Sequence, residues 1–418
     1  MDAKFGIFIH WGIYSVQGVD ESWAFFNNKI PYDQYMDQRR SFTARHYDPQ
    51  AWAELFREAG AKYAVLTTKH HDGVALWDTQ ANDLSVVKQT PAARDLITPY
   101  CDALREQDLR VGLYFSHLDW SHPDYTAWQN PGPGEPFNRF TFREGESDPE
   151  AWERFVAFRN RQVEELCTQF GNVDLLWFDG DWDFPAEIWR MKELRDLIHR
   201  HQPNCVINSR MRGHGDYLTP EQGIPVAAPE GPWEFCVTMN DNWGWQPQDR
   251  NYKSSTQLIQ MLCDCASLGG NMLLDIGPME NGMIPEPQEE RMRDIGRWLG
   301  ANGEAIYGSR AGLPFGHFHG PTILSKDRNV IFLFLNGKPG ETVGLKGLQN
   351  NVVSARVLST GEELGFKKLG GFVWSEIPGV LWIDAPRESL DEPVTVIRLE
   401  LDGELRLYRG AGVPITAN

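Results

Sequence analysis

From residue 5 to about residue 300, short runs of β-branched and aromatic residues alternate with longer segments whose apolar residues recur at three- and four-residue spacing. A period near two that gives way repeatedly to one of 3.6 is the signature of βα units, in which helices carry the chain back between parallel strands. The runs predict strands at Phe5–His10, Lys62–Thr68, Arg110–Ser116, Val173–Asp179, Cys205–Asn208, Glu234–Met239 and Asn271–Ile276. Helices are expected between them at Pro49–Ala59, Ala92–Gln107, Asp148–Phe170, Pro185–His201, Ser254–Leu268 and Pro285–Ala301. A run such as Val173-Asp174-Leu175-Leu176-Trp177-Phe178 is almost continuously apolar, which implies burial on both faces of a parallel sheet.

An open doubly wound sheet shares that pattern, but it gathers its ligand at one switch point behind a glycine-rich turn. Here no G-x-G-x-x-G or phosphate-loop sequence follows a strand, and polar and aromatic clusters follow several strand ends. That favours an α/β fold of the (β/α) TIM-like barrel type, whose sites collect at the carboxyl ends of the strands. Beyond Arg310 the helical periods vanish. Short alternating runs appear at Asn329–Leu335, Val352–Leu358, Leu381–Asp384, Val394–Leu401 and Glu404–Tyr408, punctuated by Asn336-Gly337, Thr360-Gly361 and Asp402-Gly403. An antiparallel β-sandwich of about 100 residues is expected there. The 418 residues thus divide into a barrel domain, 1–310, and a sandwich domain, 311–418, with the boundary near 307–316.

Lys and Arg total 40 against 58 Asp and Glu, a net charge of −18. That balance repels phosphate backbones and anionic membranes, so neither nucleic acid nor membrane is expected as a partner. No apolar run approaches the roughly 18 residues of a membrane span. Met1–Gly6 lacks a basic segment leading into an apolar one, and the six cysteines stand singly apart from one C-x-C in an expected helix. Reduced core thiols and a cytoplasmic location are the corresponding expectations.

Candidate chemistry sits at the strand ends. The first strand runs into His10-Trp11-Gly12 and the second into Lys69-His70-His71-Asp72-Gly73. These imidazoles suit either a metal or the hydroxyls of a sugar. The metal reading lacks the H-x-H spacing that projects two ligands from one strand, because neighbouring strand residues face opposite ways. The fourth strand ends in Trp177-Phe178-Asp179-Gly180, so a carboxylate closes an apolar run, with a glycine beside it that lets a substrate approach. Asp181 and Asp183 read as helix caps. The fifth ends in Asn208-Ser209-Arg210, where the arginine can hold a carboxylate in position, and Glu221 follows on what reads as a mobile loop. Two carboxylates across one bond are the requirement of glycoside hydrolysis, about 5 Å apart if configuration is retained. Of 16 Trp, many fall at strand ends or in these loops, where flat rings with a polar handle suit an amphipathic sugar.

Taken together, FGIFIHWGIYSV at residue 5, AKYAVLTTKHHDGVALWDT at 61, DLLWFDG at 174, INSR at 207 and SLGGNMLLDIGPMENGMIP at 267 resemble the family 29 glycoside hydrolases, the retaining α-L-fucosidases. The resemblance implies that Asp179 is the nucleophile and that Trp177 packs near the fucose. It puts His10, His70 and His71 on fucose hydroxyls, Arg210 after strand five, Trp23 in the first loop and Trp243 near the C5 methyl. Tyr114, in Tyr114-Phe115-Ser116, matches the first of two tyrosines often found there. The family's Glu before the first-loop Trp is replaced, since here the order is Glu21-Ser22-Trp23. Two acid/base candidates remain, Glu221 and Glu234, the latter also able to serve a network beneath the sugar. Neither metal nor organic cofactor is implied, and the expected partner is a fucosylated oligosaccharide or glycoconjugate. A glycosidase for another sugar such as an α-galactoside, a non-catalytic fucose binder and a metal-dependent hydrolase are the alternatives. The segments 120–143 and 219–233 are expected to set the linkage and aglycone.

Overall fold

A computed structural model of the chain describes residues 1–125, 149–337, 340–372, 377–390 and 393–410. Seven parallel strands form one sheet: β1 (Phe5–Ile9), β2 (Tyr63–Lys69), β3 (Arg110–Ser116), β4 (Leu175–Asp179), β5 (Val206–Ile207), β6 (Glu234–Thr238) and β7 (Asn271–Ile276). Their order is β5-β4-β3-β2-β1-β7-β6, so the first strand lies centrally and pairs with both the second and the seventh. Burial on both faces holds as the composition requires: every residue of β1, β2 and β6 is buried.

The chain between β5 and β6 bridges the sheet's two ends. Asn208 pairs with Tyr217, Leu218 with Trp233 and Glu221 with Cys236, each in parallel sense, and backbone bonds such as Asp216 N to Ile207 O (2.7 Å) and Gln222 N to Cys236 O (2.9 Å) tie the segment to both edges. Gly215, Pro220 and Gly223 interrupt any regular ladder, which is why this stretch reads as a loop in the sequence. Glu221 therefore sits on a segment bonded to β6 rather than on a loose excursion.

The helices follow the predicted periods with three corrections, one being that the helix expected to end at Ala301 runs on to Ile306. The one expected from Ala92 begins at Ile97, because Ala93 takes a positive φ of 44° and Asp95 Oδ1 accepts the Ile97 amide at 2.8 Å. The one expected over Pro185–His201 is broken by Arg190 at φ 53°, leaving Ala186–Trp189 and Met191–His201. Asp181 and Asp183 cap neither piece: Pro185 stands at the N-cap, Asp183 accepts the Tyr125 hydroxyl at 2.6 Å, and Asp181 lies 3.5 Å from Arg212.

After Glu286–Ile306 the chain forms two antiparallel sheets. The strands are β8 (Arg310–Ala311), β9 (Thr322–Leu324), β10 (Val330–Asn336), β11 (Thr342–Leu345), β12 (Val352–Val357), β13 (Phe366–Leu369), β14 (Val380–Asp384) and β15 (Val394–Leu401). One sheet has the order β12-β15-β10-β9-β8 and the other β11-β14-β13. Alternation along β10 explains their packing: Ile331, Leu333 and Leu335 share an apolar cluster with Leu345, Leu381 and Ile383, whereas Phe332 and Phe334 join the cluster of the parallel sheet and its helices. The strand expected at Glu404–Tyr408 does not form; Leu407 makes one isolated bridge to Leu348.

Candidate functional site

The carboxyl ends of β1 to β5 surround a cavity of about 210 Å³, lined by Phe8, His10, Trp23, His70, Tyr114, Trp177, Asp179, Trp182, Arg210, Glu221 and Trp243. Its centre is the end of β4. The parallel register sets Tyr114 of β3 beside Trp177 and Ser116 beside Asp179. The Tyr114 and Trp177 rings stack at 5.7 Å with 18° between their planes, and the Tyr114 hydroxyl donates to Asp179 Oδ2 at 3.0 Å. Asn208 fixes the strand from beneath: its amide accepts from the Phe178 N–H at 2.8 Å and donates to the Phe178 carbonyl at 2.9 Å.

Gly180 has a different role from the one its neighbour suggests. Its φ is +80°, and a Cβ there would lie 2.4 Å from Leu118 Cγ, so the turn after β4 requires glycine without any ligand. That turn lets the Gly180 amide donate to Asp179 Oδ1 at 2.9 Å.

Arg210 joins the two carboxylates. Nη1 donates to Asp179 Oδ1 at 2.6 Å and Nη2 to Glu221 Oε2, while the guanidinium lies 5.0 Å above the Trp177 ring. Burial works against its charge, but Asp179 and Glu221 more than offset that, and the guanidinium stands above its ordinary value. Asp179 is 14% exposed and Glu221 39%, so the pair spans from the floor of the cavity to its rim.

The three imidazoles are each committed on Nδ1. His10 Nδ1 and Asp275 Oδ1 share a bond of 2.6 Å, His70 Nδ1 lies 2.6 Å from Ser22 Oγ, and His71 Nδ1 lies 2.6 Å from Ser116 Oγ. Burial pushes all three well below the usual imidazole value, with a neighbouring imidazole adding to the effect in each case. They are neutral. Ser116 Oγ gives its own proton to the Leu118 carbonyl at 2.9 Å, so it accepts from His71 Nδ1–H, and His71 Nε2 is left as a bare lone pair. That nitrogen is buried, has no hydrogen-bond partner among the described residues and lies 3.6 Å from Asp179 Oδ2. It is an acceptor waiting for a donor. His10 and His70 line the cavity, whereas His71 stands behind its wall, edge-on to Trp23 at 5.4 Å.

Glu234, a candidate for the acid or for a network beneath the sugar, does not line the cavity. It opens β6, and the first residue of a parallel strand lies at the end opposite the site. There it accepts from Tyr63 Oη at 2.5 Å and from Trp177 Nε1 at 2.9 Å, and it faces a separate cavity of about 560 Å³. Burial raises its carboxyl to about 7. Glu21 also lies outside the cavity lining: it is buried, accepts from the Gly244 amide next to Trp243, and burial raises it to about 8. Ser22 occupies the place before Trp23, bonded to His70 and to the Asp72 amide (3.0 Å).

Trp23 and Trp243 line the cavity as expected; Trp11, Trp120 and Trp233 are core. Trp182, one of the tryptophans at the strand ends, joins the lining, and so does Phe8, which the sequence did not single out. Phe8 lies two residues before His10, on the same strand face, and that spacing is the signal that locates it. Residues 126–143 of the first expected specificity segment lie outside the described residues. Among the described residues no group of three or more His, Cys, Asp or Glu is placed to hold a metal ion, and no helix is long and apolar enough to cross a membrane.

Residues 1–304 match the family model described as Alpha-L-fucosidase. The tissue α-L-fucosidase of Macaca fascicularis is 33% identical, over 74% of this chain and 68% of that protein. Among solved structures, α-L-fucosidase isoenzyme 1 from Paenibacillus thiaminolyticus superposes with a TM-score of 0.85 at 35% identity, covering 96% of this chain and 97% of that one. A GH29 α-L-fucosidase from Bacteroides thetaiotaomicron, trapped as a covalent intermediate with 2-fluoro-fucosyl fluoride, gives 0.83 at 25% identity over 96% and 95% of the two chains. With the family model spanning the whole parallel sheet and every motif of the cavity, the chain belongs to the α-L-fucosidase family.

Proposed function

We propose that this protein is an exo-acting, retaining α-L-fucosidase that releases terminal L-fucose from fucosylated oligosaccharides or glycoconjugates, with Asp179 as nucleophile and Glu221 as acid/base. The observation that carries the residue assignment is the Arg210 bridge: one guanidinium holds a floor carboxylate and a rim carboxylate toward the same small cavity. At about 210 Å³ the cavity is smaller than the roughly 300–1,000 Å³ of drug-sized pockets, which suits one terminal sugar ring and no second.

Asp179 attacks the anomeric carbon as Glu221 gives its proton to the departing glycosidic oxygen; the C1–O bond breaks and a fucosyl–Asp179 ester forms. Glu221, now ionised, takes a proton from water, whose oxygen attacks C1 and displaces Asp179, so fucose leaves with its configuration retained. The Tyr114 hydroxyl and Gly180 amide hold the Asp179 oxygens in line. His10 and His70 offer ring nitrogens to the sugar hydroxyls, while His71, outside the cavity lining, stands with Nε2 3.6 Å from the nucleophile's Oδ2. Trp177 and Trp243 supply the apolar walls, with Trp243 against the C5 methyl. Glu234 acts under the wall, through Trp177, and we assign it no proton transfer.

The same reading makes the parallel sheet, with segment 217–222 across its gap, a TIM-like barrel domain over residues 1–310, followed by a β-sandwich domain over 311–418. Buried, unpaired thiols at all six cysteines fit a reducing, cytoplasmic setting. The test is hydrolysis of an aryl α-L-fucoside beside an aryl α-galactoside, with NMR following the first anomer released. Cleavage of the fucoside with α-fucose appearing first is expected; β-fucose first, or preference for the galactoside, overturns the assignment.

A further inference from the structure

We propose that His117 is a positioning residue whose ring hydrogen bond holds the main chain of Arg210 and so sets the guanidinium between the two carboxylates. The inference rests on the assignment of Asp179 as nucleophile. His117 follows β3 directly and touches both halves of the ion pair from behind. Its backbone N–H donates to the Asp179 carbonyl at 2.8 Å, and its ring Nε2 lies 3.1 Å from the Arg210 carbonyl. A carbonyl only accepts, so Nε2 carries the hydrogen.

That tautomer leaves Nδ1 as a lone pair, and this atom is buried with no partner among the described residues. An orphaned buried nitrogen costs free energy that a phenyl ring in the same place avoids. Packing alone does not call for an imidazole here: the ring lies flat on Phe178, 4.6 Å away with 6° between the planes, and tilted against Trp189 at 5.6 Å, contacts a phenylalanine makes equally well. The backbone bond to Asp179 is open to any residue but proline. What only the imidazole supplies is the bond to Arg210.

Arg210 needs such a tether. The ladder between β4 and β5 ends at the pair Leu176 and Ile207, so three residues later the chain has left the sheet. Asn208 returns its side chain to Phe178, but it holds Phe178 and not Arg210. His117 therefore completes a closed loop: Asp179 main chain, His117, Arg210 main chain, guanidinium, Asp179 carboxylate. Burial, with Arg159 and Lys69 adding to the effect and the Arg210 bond working the other way, keeps the imidazole below its ordinary value.

The test compares His117→Phe, which keeps the stacking and loses the donor, with His117→Gln, whose amide N–H can reach the Arg210 carbonyl. Active sites are first counted by the fluoride burst with 2-fluoro-fucosyl fluoride, and the labelled peptide is sequenced by mass spectrometry. A wild-type chain that labels elsewhere than Asp179 overturns the functional assignment, whatever His117 does. With Asp179 labelled, kcat per titrated site in His117→Phe is expected to fall about tenfold, the loss of one aligning hydrogen bond. KM should stay within about twofold because the sugar-facing groups are untouched. His117→Gln should recover most of the loss. Wild-type kcat in the Phe variant, or equal impairment in both variants, overturns the proposal. If the Phe chain does not fold, His117→Met makes the same comparison; if neither donorless chain folds while the Gln chain does, the bond serves folding and the proposal falls.

Discussion

Glu234 gives the sharpest quantitative prediction. It is 4% exposed, and burial raises its carboxyl from 4.5 to about 7, although hydrogen bonds from Tyr63, Trp177 and Tyr217 work the other way. In the unfolded chain the group ionises near its ordinary value, so between about pH 4.5 and 7 the folded state holds a proton that the unfolded state has lost. Stability from this group is full below pH 4.5 and is lost as pH rises through 7. At 1.36 kcal/mol per pH unit, a rise from 4.5 to about 7 amounts to about 3 kcal/mol. Glu234→Gln keeps an acceptor for Trp177 Nε1 and abolishes the titration. About 2.5 kcal/mol of that falls between pH 5 and pH 8, so the midpoint of wild type minus that of the Gln variant should shrink over that range by roughly 5–10 °C, at roughly 2–4 °C per kcal/mol for domains of 150–250 residues. Thermal unfolding followed by tryptophan fluorescence at four pH values makes the comparison, and every other titrating group cancels in the difference. A gap that does not change with pH would show that Glu234 is already ionised in the fold, and the argument from burial would be wrong.

Tyr114→Phe removes one bond to a charged acceptor, about 1.5–3 kcal/mol, so kcat should fall ten- to a hundredfold with KM nearly constant in steady-state assays. Asp179→Ala should lower kcat by about 10⁴-fold or more while calorimetry still detects fucose binding. Asn208→Leu strands a buried N–H and C=O at Phe178, at about 1–3 kcal/mol each, and should depress both the thermal midpoint and kcat. Glu221→Gln should lower turnover about 10²–10⁴-fold on fucosides with poor leaving groups and accumulate the fucosyl ester with good ones, visible by intact-protein mass.

The parts of the site legible in the sequence were those carried by strand ends. An apolar run terminating in Asp179, and imidazoles closing β1 and β2, announce themselves because a parallel strand buried on both faces has no other reason to end in charge. The parts that were not legible depend on partners far away in sequence. Asn208 reads as an ordinary polar residue until the pairing of β4 with β5 lays it beside Phe178. Glu221 reads as mobile because its segment is broken by Pro220 and Gly223, yet the two sheet edges it bridges supply the hydrogen bonds that composition denies it. Glu234 was open to two readings in the sequence, the acid or a network beneath the sugar, and its place at the start of a predicted parallel strand already favoured the second, because that end lies away from the chemistry. Gly180 misled in a different way: beside a candidate nucleophile a glycine suggests room for substrate, and here the backbone sign and Leu118 account for it fully.

The same burial favours uncharged histidines, and for His71 that bears on the nucleophile beside it. A protonated His71, 3.6 Å from Asp179 Oδ2, would pair with that oxygen and occupy the lone pair that attacks the sugar. Neutral, with Nδ1 committed to Ser116, it presents a lone pair instead, which attracts a hydroxyl proton and repels the carboxylate only weakly. The positive charge near Asp179 comes from Arg210, fixed at 2.6 Å by a guanidinium that does not titrate in the working range. Charge compensation and hydroxyl recognition are thus given to different residues. The pH profile should then be set by the two carboxylates: kcat/KM measured on an aryl fucoside should fall on the acid side as the nucleophile takes up a proton and on the basic side as Glu221 loses the one it donates, and a basic limb that survives unchanged in Glu221→Gln would contradict the division of roles.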